Sequence, residues 1–117
     1  MSRKNVITAY KILDAESLAA NFESNVTNIE YLDNVGIQIV TDSVTDNTGQ
    51  FSIQVSNDNV TFEDITVTPT ISALADTDTQ IFVNLNQLPF SYVRIKFAAA
   101  GGTPDGTATA FLTAKEL

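Results

Sequence analysis

The stretch QFSIQVS, Gln50–Ser56, sets apolar Phe51, Ile53 and Val55 between polar Gln50, Ser52, Gln54 and Ser56. A period of two gives an extended strand one apolar and one polar face, and gives a helix neither. The segment therefore predicts a strand with its apolar side on a core and its polar side in water. QIFVNLN repeats the pattern with Ile81, Val83 and Leu85 inward, and YVRIKF repeats it with Val93, Ile95 and Phe97 inward. Half-buried strands of this kind belong to antiparallel sheets.

Weaker strands are predicted over residues 6–13, 26–32, 35–41, 62–68 and 107–114. The last carries Ala108, Ala110, Leu112 and Ala114 on one parity, and such small inward residues predict close approach of a facing sheet. The helical candidate is AESLAANF, residues 15–22, which reads equally as a strand or an irregular crossing. Asp46-Asn47-Thr48-Gly49 precedes the Phe51 strand and Pro104-Asp105-Gly106 the final one. These are turn signals, because proline presets one dihedral and glycine accepts positive φ. About eight short strands so spaced predict an all-β antiparallel sandwich with jelly-roll topology. Residues 6–117 read as one such domain, preceded by an arm over residues 1–5 in which Arg3 and Lys4 are poised to meet an acidic neighbouring surface.

The chain has 117 residues, 44% hydrophobic and 17% charged, which is globular composition for a single domain. It contains neither cysteine nor histidine. Serine-histidine and cysteine-histidine nucleophile pairs cannot be built within it, nor can cysteine-ligated zinc. The net charge is -8, with no cation between Ile12 and Val93. A surface so acidic repels phosphate backbones, which argues against nucleic-acid binding. The basic opening is not followed by an apolar run of signal-peptide length, so the expectation is a soluble protein made without export.

Between Ser56 and Phe62 the alternation stops, and Asn57, Asp58 and Asn59 fill the gap. These residue types accept left-handed dihedrals and bond their own backbone, so a hairpin turn is predicted. A calcium loop needs ligand spacing that Asp58, Glu63 and Asp64 do not match. The pairs Asp42 and Asp46, and Asp76 and Asp78, are more ligand-like, yet no glutamate closes either loop. Glu63 and Asp64 point to opposite faces of a strand and cannot act as a catalytic pair. No catalytic, cofactor or metal residue is assigned, and an enzyme is not expected.

Phe82, Phe111 and Val40 lie on the parity opposite the core residues of their strands. A bulge, an edge contact or a covering loop accounts for them, and so does a subunit interface; exposed aromatics also build carbohydrate platforms. Arg94 and Lys96 share the outward face of one strand, where pairing with acids on neighbouring strands is the simpler reading and an acidic partner the other.

GQFSIQVSNDNVTFEDI, IFVNLNQLPFSYVRIKF and GTATAFLTAKEL resemble, across residues 49–117, small β-sandwich virion proteins of tailed bacteriophages, of the head-decoration or auxiliary kind. The strand, S-x-D turn and aromatic followed by Y-V-R-I is also similar to galactose-binding-like and discoidin-type sandwiches, although Phe62 stands where those carry tryptophan. The phage resemblance implies a non-enzymatic virion subunit, made in the host cytoplasm. It also implies self-assembly, with a trimer favoured, against a major capsid or tail protein. The alternative is a carbohydrate-binding or host-recognition module.

Overall fold

The computed structural model describes residues 7–30, 32–67, 70–75, 77–85, 89–100 and 104–116. Arg3 and Lys4, and the arm expected around them, lie outside the described residues. Among the described residues nine strands are formed: β1 (Ile7–Ser17), β2 (Phe22–Glu23), β3 (Thr27–Asn28), β4 (Leu32–Thr45), β5 (Gln50–Ser56), β6 (Glu63–Ile65), β7 (Gln80–Asn84), β8 (Tyr92–Ala98) and β9 (Asp105–Glu116). The helical candidate is not a helix: Ala15–Ser17 finish β1, a turn follows, and Phe22 opens β2.

The strands form two antiparallel sheets. One is four-stranded in the order β1-β9-β4-β7; the other is five-stranded in the order β2-β8-β5-β6, with β3 also on β8. Pairing is nested: β1 with β9, β2 and β3 with β8, β4 with β7, β5 with β6. A long hairpin rolled up and split into two sheets gives this order, which is the jelly roll expected from the sequence.

The inner faces follow the period-two pattern. Ile37, Ile39, Phe51, Ile53, Val93, Ile95, Phe97 and Leu112 are all at most 2% exposed. Phe22, Phe97 and Phe51 share one register row across the five-stranded sheet, with centroid separations of 5.2 Å and 4.7 Å along it. The four-stranded sheet brings Ala108, Ala110 and Ala114 to its inner side, all at most 1% exposed. Bulky rings on one inner face and small side chains on the other let two sheets approach closely and still fill the space between them. Gly49 is part of that fit, because a Cβ there would stand 2.3 Å from Phe97 Cζ.

Bulges adjust the long strands. Between paired positions β1 takes three steps, Leu13 to Glu16, where β9 takes two, Ala110 to Ala108. β4 does the same between Asp33 and Gly36 and between Asp42 and Thr45. One residue with positive φ sits in each: Ala15 at 50°, Asn34 at 51° and Ser43 at 55°. That is how an extra residue is absorbed without losing the ladder on either side. A further shift between Lys11 and Leu13 turns both Ile12 and Leu13, each 5% exposed, to the core.

Asn47, in the β4–β5 connection, is fully buried. Its Nδ2 donates to Leu18 O at 3.0 Å and to Asp105 O at 3.2 Å, and its Oδ1 accepts from Gly49 N at 2.9 Å. One side chain thus ties the end of β1, the start of β9 and the entry to β5.

Candidate assembly surface

The two sheets present outer faces of different chemistry. On the five-stranded sheet, residues from neighbouring strands satisfy one another. Arg94 on β8 donates from Nε to Gln54 Oε1 at 2.8 Å and pairs with Glu23 at 3.3 Å, and its guanidinium lies 3.9 Å from the Phe62 ring centroid. Gln54 in turn donates to Asp64 Oδ1 at 2.8 Å. The pairing read for Arg94 is therefore the arrangement present. Gln54 faces outward as its parity predicts, but not into water: covered by this network, it is only 6% exposed. Ser56 is also buried, at 4%, because its hydroxyl is drawn into the adjoining turn.

That turn joins β5 to β6 as a hairpin, as its sequence predicts, and it holds itself together. The Asp58 carboxylate accepts from Thr61 N at 2.8 Å, Val60 N at 2.9 Å and Ser56 Oγ at 2.8 Å. These bonds, those from Thr61 and Val60 foremost, favour the ionised form and hold the Asp58 carboxyl at about 2, below its ordinary 3.8. Asn57 does not bond locally; its Oδ1 accepts from Ser91 N at 3.0 Å and fastens the turn to the approach to β8. Asn59 supplies the positive φ, at 59°.

Among the acidic pairs of the sequence, Asp76 lies outside the described residues. Asp78 accepts from Val44 N at 2.9 Å, capping the β4 bulge. No group of three or more acidic side chains placed to hold a metal ion occurs among the described residues. A cavity of about 250 Å³ lies beside β5 and β6 against Thr66, Val67, Thr70 and Ile71, and the carboxylate among its described lining residues is Asp64, already engaged by Gln54.

The four-stranded sheet is different. β9 contributes Thr109, Phe111 and Thr113 to its outer side, β4 contributes Gly36, Gln38 and Val40, and β7 contributes Gln80, Phe82 and Asn84. None is charged. Phe111 pairs with Gln38, and Gln38 with Phe82, so the two phenylalanines flank one glutamine in a single register row. Lys11 of β1 extends that row, its Nζ 5.8 Å from the Phe111 ring centroid and 3.6 Å from Asp14. Val40 occupies the next outward position of β4, opposite Gln80 and Thr109. Gln38 Nε2 donates to Gln80 Oε1 at 3.1 Å.

Phe82, Phe111 and Val40, scattered in the sequence, are thus brought onto one face. Phe82 is 58% exposed; Phe111 and Val40 are half-buried. Their outward parity is genuine rather than the effect of a bulge, because the register runs without a shift from Gly36 to Asp42 against β9 and from Gly36 to Val40 against β7. The network of Arg94, Phe62, Gln54, Asp64 and Glu23 was not assembled from sequence. The signal for it was a lone arginine on the outward parity of its strand, with Glu23 on one flanking strand and Asp64 on the strand beyond the other.

No family model matches the chain, and no curated protein matches it. Solved structures do. The chain is similar to the SPBc2 prophage-derived protein YomS, with a TM-score of 0.60 and 10% identity over 95% of this chain and 94% of that one. It is also similar to a chain in the structure of infectious bursal disease virus, Gx strain, with a TM-score of 0.57 and 14% identity over 95% of this chain. There it spans 32% of the viral chain's length. At such identities the likeness is one of fold: this sandwich is built as a prophage-derived protein and part of a virus chain are built.

Proposed function

We propose that the chain is a structural subunit of a bacteriophage virion, a capsid-decoration or auxiliary head or tail protein that acts by burying surface against neighbouring proteins. The observation that carries this reading is the uncharged outer face that β9, β4 and β7 present on the four-stranded sheet, with Lys11 and Asp14 of β1 at its rim. Interface cores are distinguished by depletion of charge and enrichment in aromatics, with charged residues at the rim. On a chain of net charge -8, nine adjacent uncharged positions centred on Phe111, Gln38 and Phe82 fit that anatomy, and the self-satisfied face of the other sheet does not. The viral company of the fold supports the same reading.

The test is composition of particles. Virions purified on a density gradient from a phage encoding this chain should carry it in fixed stoichiometry, and Phe82→Ser should leave the protein folded but missing from the particles. Absence of the chain from purified virions would refute the proposal. Binding to a glycan array, abolished by Phe82→Ser or Phe111→Ser, would favour host recognition through the same aromatics.

A further inference from the structure

We infer that the outer face of the β1-β9-β4-β7 sheet packs against the same face of a second copy of this chain, about a two-fold axis over Gln38. The inference rests on the assembly reading above and names the partner.

The argument is one of symmetry. Phe111, Gln38 and Phe82 occupy one row with Gln38 on the middle strand. Sheets stacked face to face are related by a two-fold axis lying in the plane of contact. Run along β4, such an axis exchanges the β9 and β7 sides, so Phe111 of each copy meets Phe82 of the other. Run across the strands, it sets Phe82 on Phe82 and Phe111 on Phe111. In both settings aromatic meets aromatic and Gln38 meets Gln38, whose amide carries both donor and acceptor and so complements its own image. Few rows of side chains satisfy themselves in either setting, and this one does.

Charge selects the same occupant. A basic partner attracted by the chain's net charge of -8 would seat on carboxylates, and the centre of this face offers none. Two copies of an acidic chain meet most favourably where neither presents an acid, since charges beyond about 8 Å are largely screened at physiological salt. A face that contacts itself is isologous and closes at two; the three-fold ring implied by the phage resemblance would instead set this face against a different surface.

The chain has no cysteine, so single cysteines give clean distances. Opposed sheets pack about 10 Å apart, beyond the roughly 4.4–6.8 Å Cα separation of a disulfide, so the reagent is the short cross-linker bismaleimidoethane. Gln38→Cys should cross-link to a covalent dimer, and Ser52→Cys, on the outer face of the other sheet, should not. Wild type should sediment as a dimer at concentrations on the order of 100 µM, where modest interfaces are populated. Phe82→Ser should weaken the dimer roughly tenfold and, at dilutions where wild type is monomeric too, melt at the same temperature as wild type. A monomeric wild type, a trimer, or equal cross-linking at both positions would overturn the inference. A monomer still found in virions would overturn it and leave the assembly reading standing; a dimer absent from virions would do the reverse.

Discussion

Replacing Asn47 with alanine removes three hydrogen bonds at once and leaves Leu18 O, Asp105 O and Gly49 N without the partners they now have. Burying unsatisfied backbone groups is costly, so Asn47→Ala should lose about 2–4 kcal/mol in urea unfolding. Asn47→Asp should fare little better, since a carboxylate cannot donate to two carbonyls. Asp58 makes a different prediction, because its carboxyl is held at about 2 against an ordinary 3.8. A depressed folded-state pKa stabilises the fold above the ordinary value, and the benefit is lost as pH falls toward 2. Asp58→Ala should therefore melt below wild type at neutral pH, and the two melting curves should converge between about pH 4 and pH 2. If the gap were constant over that range, the turn would not depend on the ionised carboxylate.

Among the elements, β5, β7, β8 and the middle of β9 are legible in sequence because each has one face on the core and its side chains alternate accordingly. β2 and β3 have only two residues each, too few for a period, and β6 has three. The bulges are also silent: nothing about Ala15 or Ser43 announces a positive φ, which tertiary pairing imposes on them. Ala15→Gly tests that account. A left-handed non-glycine residue costs roughly 1–2 kcal/mol, and glycine's greater freedom in the unfolded chain returns part of it. The change should stabilise by about 0.5–1 kcal/mol, whereas Asn34→Gly should gain less, because asparagine already tolerates this conformation. The candidate face was half readable. Parity marked Phe82, Phe111 and Val40 as outward, but their meeting on one sheet depends on β4 pairing with strands about forty and seventy residues away, which local pattern does not encode.

For the whole molecule, nested pairing means that most contacts join distant parts of the chain. Folding should accordingly be slow for the chain's size, in milliseconds to seconds by stopped-flow, as for other sandwiches dominated by non-local pairing. The position of β9 sharpens this. Of the nine described strands it is the last to be synthesised, yet it lies inside its sheet, between β1 and β4. While a ribosome is still making the polypeptide, β1 has no neighbour at all and β4 has only β7. The five-stranded sheet has all its strands once Ala98 has emerged, but its apolar inner face has only part of a lid. The nascent protein therefore passes through an interval, closed only when β9 is made, in which unpaired strand edges and core side chains face solvent together. A stop codon placed before Asp105 should fix that interval permanently and yield a product that goes to the pellet or stays bound to chaperones.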